Sequence, residues 1–132
     1  MNYKGQTKEF SSDSIEIRKC RADEEEACLD LENIVWPTFN QYAEGGAWVD
    51  YDPNLHFVAY DHDEGIIVGT IDAVELDWNG NPEDLPARGW TEIIELAIER
   101  ISLDKGSPAE WTSALGTSIR PGYEGKGLAQ RL

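Results

Sequence analysis

Residues 111–132 read WTSALGTSIRPGYEGKGLAQRL. From Trp111 to Ile119 the residues are mostly small or β-branched. Alternation predicts a strand with Trp111, Ser113, Leu115, Thr117 and Ile119 on one face and Thr112, Ala114, Gly116 and Ser118 on the other. A face of Ala, Gly and Ser leaves room for something to lie against the backbone. Arg120-Pro121-Gly122-Tyr123 then reads as a turn, and Leu128, Arg131 and Leu132 as the first turn of a helix. Between them stands Glu124-Gly125-Lys126-Gly127-Leu128-Ala129. The first N–H groups of a helix have no internal partner and sit at the positive end of its dipole, while glycines let the backbone approach a bulky anion. Strand, glycine turn and helix in that order make a cradle for a pyrophosphate. The stretch is neither G-x-x-x-x-G-K-[ST] nor G-x-G-x-x-G, so the commoner nucleotide loops are excluded.

Read outward from that loop, the segment IRPGYEGKGLA resembles the coenzyme A loop of the GCN5-related N-acetyltransferase (GNAT) family, whose signature is Q/R-x-x-G-x-G/A after a strand. Gly127 and Ala129 occupy the last two defined positions, and Glu124 departs from the family's Gln or Arg. The resemblance implies an α/β (α+β) fold, a mixed, mostly antiparallel sheet flanked by helices. It implies acetyl-CoA as cosubstrate and direct transfer of the acetyl group to a primary amine of a small molecule or peptide. Carried over residue by residue, it places the pyrophosphate on the backbone of Glu124, Gly125, Lys126, Gly127, Leu128 and Ala129. The pantetheine would run beside Thr117, Ser118 and Ile119, with a main-chain N–H near Ile119 polarising the thioester carbonyl. In some members an acid on the fourth strand removes the amine's proton. Ser113 stands at that place here and has no such capacity. Asp72, Glu75 and Glu110 are nearby by position only, so no catalytic residue is assigned.

A chain of 132 residues with 40% hydrophobic residues and five tryptophans suits one folded domain. There is no apolar run of membrane-spanning length and no signal-peptide core at the start, so a cytoplasmic setting is expected, without membrane attachment. Cys20 and Cys28 are too few for a disulfide framework, lack the spacing of a zinc site and read as reduced packing thiols. His56 and His62 have no ligand-like partners in spacing, and no metal is expected. The net charge is −15, and residues 22–87 contain no Lys or Arg. That excludes nucleic acid as a natural partner, since its binding rests on neutralising phosphates. The acidic block is either a solvated surface or a negative field for a cationic amine acceptor.

Residues 1–13 read as a flexible lead and residues 14–132 as the domain. Ile15 to Lys19 alternates as a first strand. Asp23 with Glu26 makes a D-x-x-E helix start, Ala27, Leu31, Ile34 and Val35 form its apolar stripe, and Pro37 ends it. Thr38 to Ala43 suits a short second helix. Trp36, Phe39, Tyr42, Trp48 and Tyr51 crowd around Glu44, Asp50 and Asp52, which fits either an ammonium ligand or a self-burying loop. His56 to Tyr60 and Ile66 to Leu76 form a hairpin through Asp61 to Gly65, with Ile67, Gly69, Ile71, Ala73 and Glu75 on one face. Trp90, Ile93, Ile94, Ala97, Ile98 and Ile101 predict a helix closed by Lys105 and Gly106. It is an extra helix between strands three and four by the family's pattern.

Against that pattern the sequence stops one turn into the coenzyme helix, and the family's fifth strand is not represented. The domain therefore reads as the front part of a GNAT-like fold, incomplete at its C-terminus. Strand four would then have an open edge, a template for pairing with a second copy as a homodimer. The alternative to an N-acetyltransferase is a catalytically inactive binding or dimerisation domain of the same fold.

Overall fold

The computed structural model of the chain describes residues 12–37, 55–103 and 109–132. Its elements are β1 (Ile15–Lys19), α1 (Glu25–Val35), β2 (His56–Asp61), β3 (Ile66–Leu76), α2 (Trp90–Ser102), β4 (Trp111–Ile119) and α3 (Leu128–Arg131). The strands form one antiparallel sheet in the order β1-β2-β3-β4, so β4 is an edge strand among the described residues. The segments expected to form the lead, the second helix and its aromatic cluster lie outside those residues, apart from Trp36 and Ser12 to Asp13. Ser12–Ser14 forms a single 3-10 turn.

Each face of the sheet is covered by a different element. On one face Val58 and Ile67 pack against Cys28 and Leu31 of α1. On the other Ile15, Ala59 and Val68 pack against Tyr123 and Leu128, with Ile119 and Leu132 at the margin. Leu31, Val58 and Val68 are fully buried, and each such side chain stabilises the fold by roughly 1.5–3 kcal/mol through removal from water. α2 docks through buried Ile94 and Ala97, and its Arg100 reaches Glu75 of β3 at 3.0 Å.

Four details depart from the sequence-based reading. The apolar stripe of α1 is rotated: Cys28 and Leu31 are buried and Val35 half-buried, whereas Ala27 is exposed and Ile34 is 52% exposed. Its start is also later than the Asp23–Glu26 pair implies, at Glu25. A 3-10 turn over Ala22–Glu24 precedes it, and Glu24 accepts the Arg21 backbone N–H at 3.0 Å. Glu24 is held for that task by a double contact with Arg18 at 2.6 and 2.7 Å, which also lowers its carboxyl's proton affinity.

The other two departures are β-bulges. Tyr60 pairs with Ile67 and Ala59 with Gly69, so Val68 is the extra residue and Ile67 shares the α1 face rather than that of Gly69. Asp72 pairs with Gly116 and Ala73 with Ala114, so Leu115 is extra. Residues directly opposite across two strands share a face. Ser113, opposite Val74, therefore faces the same side as Gly116 and Ser118, opposite Asp72 and Thr70. The predicted faces of this strand exchange at Leu115. The indole Nε1 of Trp90 donates to the carbonyl of that bulged residue at 3.1 Å.

Candidate functional site

The glycine turn emerges from β4 and is tied down at both ends. Arg120 donates its backbone N–H to Val68 at 2.8 Å and its Nε to Ile67 at 3.1 Å, closing the carbonyls beside the first bulge. Tyr123 folds back under the turn, 3% exposed, and donates its hydroxyl to Asp61 Oδ2 at 2.6 Å. Asp61 in turn accepts the backbone N–H of Asp63 at 2.9 Å through Oδ1, so the β2–β3 turn and the glycine turn share one carboxylate. Burial and that carboxylate push the Tyr123 phenol well above its ordinary pKa, which keeps it protonated and donating. At the far end Leu128 is buried and Arg131 Nη2 donates to the Ile15 carbonyl at 3.2 Å.

Between these anchors Glu124 to Gly127 is exposed. Gly122, Gly125 and Gly127 have φ of 96°, 73° and 78°, the left-handed region that costs an L side chain strain. A Cβ placed on Gly125 or Gly127 would meet nothing within 4 Å, so the turn's outer side is open space. Beside it is a pocket of about 250 Å³ lined by Ile119, Tyr123, Glu124, Gly125, Gly127, Leu128, Ala129 and Gln130. Of the residues the sequence picks out for the coenzyme, Ile119, Glu124, Gly125, Gly127, Leu128 and Ala129 are brought together here. Lys126 is exposed on the same turn, outside the lining. Thr117 is half-buried two residues inward of Ile119 on β4, while Ser118 is buried on the opposite face and accepts the Trp36 Nε1–H at 3.1 Å. Tyr123 and Gln130 were not picked out. The aromatic was visible in the loop, but its role as the floor depends on Asp61, far away in sequence.

A second polar group lies under α1. Cys20 and Cys28 stand with their sulfurs 3.6 Å apart. His56 Nε2 is 2.8 Å from Thr70 Oγ1 and 3.3 Å from Asp72 Oδ1. Burial and then Asp72 push the Glu32 carboxyl up to about 8. Thus Asp72, considered by position only, is buried across from Gly116. Glu75 is paired to Arg100, and Glu110 is exposed. His62, in the acidic turn, is exposed but bonded to Glu16 Oε2 at 2.7 Å.

A larger cavity of about 460 Å³, lined by Leu76, Asp77, Trp78, Asn79, Glu110 and Trp111, lies at the opposite end of β4. At ~3.4 Å per residue the length of that strand separates it from the glycine turn, too far for the two to share a reaction.

The fold of the described residues is similar to that of solved structures. The loading GNATL domain of CurA from Lyngbya majuscula superposes with a TM-score of 0.60 at 20% identity, over 89% of this chain and 53% of that one. The chain has the GNAT fold. Mosquito arylalkylamine N-acetyltransferase like 5b is similar too, with a TM-score of 0.52, 20% identity, and 90% and 67% of the two chains covered. The chain thus spans about half the length of the CurA domain and about two thirds of the mosquito enzyme. No family model and no curated protein sequence matches it. Among the described residues no helix is long and apolar enough to cross a membrane.

Proposed function

We propose that the chain is an acetyl-CoA-dependent N-acetyltransferase acting on a primary amine. The observation that carries this reading is the turn itself. Left-handed glycines with open space above them, pinned by Tyr123 and Leu128, border a pocket at the end of a bulged edge strand. The N–H groups from Glu124 to Ala129 bind the pyrophosphate, and Thr117 to Ile119 guide the pantetheine. Glu124 is exposed on this turn. In the reaction the amine nitrogen bonds to the thioester carbon, the carbon–sulfur bond breaks, the ammonium's proton goes to a base and the thiolate takes up another. The Glu32–Asp72 pair, whose Asp72 lies across from Gly116, supplies the base. A net charge of −15, with no Lys or Arg in residues 22–87, favours a cationic acceptor.

Isothermal titration of acetyl-CoA, with dephosphorylated and desulfo analogues alongside, tests the reading. Saturable binding of one coenzyme per chain supports it, and an acceptor screen then begins with amines. Absence of heat at millimolar coenzyme overturns it. A second reading, a GNAT-like dimerisation domain without catalysis, draws on the edge position of β4, whose Trp111 is 42% exposed.

A further inference from the structure

Cys20 leaves β1, Cys28 lies in α1 and His56 opens β2, and the fold brings the three together although nothing in their spacing predicts it. One ligand atom from each, two sulfurs and an imidazole nitrogen, lies within 4.8 Å of the others. The backbone supports this meeting: the Cys20 N–H donates to the His56 carbonyl at 2.9 Å, so the two residues are locked side by side. Cys28 is 2% exposed on the floor, while Cys20 and His56 are half-buried, leaving one side reachable.

The distances discriminate between uses of the pair. A disulfide needs sulfurs about 2.05 Å apart. Two thiolates on a tetrahedral zinc, each at ~2.3 Å, stand about 3.8 Å apart. The sulfurs are 3.6 Å apart, close to the tetrahedral edge and far from a covalent bond. The imidazole also has its supporting carboxylate. Asp72 Oδ1 is buried, accepts no hydrogen bond and stands 3.3 Å from His56 Nε2, with Thr70 Oγ1 at 2.8 Å from the same nitrogen. A histidine that binds a metal through one nitrogen commonly has its other nitrogen or its surroundings fixed by a carboxylate.

We propose that Cys20, Cys28 and His56 form a binding site for zinc or a similarly thiophilic divalent ion, with Asp72 positioning the imidazole. Three protein ligands leave the fourth tetrahedral position to water or an incoming ligand. The ion displaces the thiol protons, exchanges them for two metal–sulfur bonds, and changes no oxidation state. It clasps the end of β1, the first half of α1 and the start of β2, so it stabilises the side of the sheet opposite the glycine turn. The site lies away from the glycine turn but shares Asp72 with the proposed base, so its test reads metal binding and not acetyl transfer.

Cobalt reports it directly. The 132-residue chain, reduced and stripped with chelator, is titrated with Co2+ and then with Zn2+. The expected result is one Co2+ per chain, a thiolate-to-cobalt charge-transfer band, the intense visible bands of tetrahedral cobalt, and their loss as zinc displaces it. Because Cys28 is packed beside Leu31 in the core, C20S and H56Q carry the mutational test. Each loses the band or weakens binding at least about tenfold, with the far-ultraviolet dichroism unchanged. D72N keeps the charge-transfer band and weakens zinc about tenfold or more. Cobalt that stays in the pale octahedral form with the reduced wild-type chain overturns the proposal, as does equal binding by C20S and H56Q. An intact mass lighter by two hydrogens, with both thiols lost while zinc is present, also overturns it and makes the pair an oxidisable dithiol.

Discussion

Tyr123 joins the β2–β3 turn and the glycine turn through one carboxylate. Its hydroxyl on Asp61 Oδ2, at 2.6 Å and buried, is a charge-assisted bond in a dry setting. Tyr123→Phe keeps the ring in the core and removes that donor from a buried carboxylate. The expected cost is about 1–3 kcal/mol in urea unfolding, together with weaker acetyl-CoA binding because the turn loses its floor. An unchanged midpoint would mean that the phenol is incidental to the fold. Glu32 makes a different kind of prediction. Its carboxyl is raised from an ordinary 4.5 to about 8, chiefly by burial and then by Asp72. Between those values the folded chain holds a proton that the unfolded chain has released, so stability falls as pH rises. The contribution is full below the unfolded value and lost once pH passes the folded one. In chelator-containing buffer, urea melts from about pH 5 to about pH 9 should show this decline, and Glu32→Gln should flatten it by close to one proton. A decline of the same slope in the variant would exonerate Glu32.

Gly127 hands β4's turn over to α3 in a left-handed conformation, φ 78°, with open space where a side chain would go. Gly127→Val therefore meets no clash and costs roughly 1–2 kcal/mol of backbone strain, but it projects a branched side chain into the coenzyme's approach. Gly89, at the start of α2 with φ 62° and equally open surroundings, is its control. Gly89→Val, at ψ −131° where side chains are strained more than in the left-handed region, should lower the melting temperature at least as much and leave acetyl-CoA affinity alone, whereas Gly127→Val should lower that affinity tenfold or more. Equal affinities in the two variants would remove the turn from the binding site. At this scale the sequence was legible where the signal is local. The bounds of β1, β3 and β4 follow from alternation between Gly, Pro and Asp punctuation, and α2 from apolar residues spaced at helical period. The bulges at Val68 and Leu115 were not, because an extra residue leaves local alternation unchanged. What holds the second is Trp90, twenty-five residues away along the chain. The α1 stripe was misplaced for a related reason: Cys28 packs as a core apolar residue, while Ile34 faces out. The glycine turn could be found because its residues are contiguous. The Cys20, Cys28, His56 and Asp72 cluster could not, since it comes from four separate elements that only the sheet register brings into one place.

Across the molecule, two properties pull against each other. β4 presents an unpaired edge among the described residues, with Trp111 and Thr112 exposed, which favours strand-to-strand association. Each chain also carries −15, and two such chains repel over distances comparable with the Debye length, about 10 Å at 0.1 M salt and longer below it. The charge is spread unevenly, with residues 22–87 free of Lys and Arg, whereas Arg120, Lys126 and Arg131 lie around the glycine turn beyond β4. Antiparallel pairing of two β4 edges sets the Trp111 end of one against the Ile119 end of its partner. That brings the basic turn of each chain towards the acidic end of the other, so local attraction offsets part of the net repulsion only once long-range repulsion is screened. Sedimentation should accordingly find a monomer at about 0.01 M salt and a rising dimer fraction towards 0.5 M, the reverse of a dimer held by exposed ion pairs. Thr112→Lys, placing a charge on the edge strand, should abolish the dimer without changing the melting temperature by more than about 2 °C, since a solvent-facing substitution away from the core costs little. A monomer at every salt concentration would leave the β4 edge without a self-partner and remove the dimerisation reading, with coenzyme binding at the glycine turn unaffected.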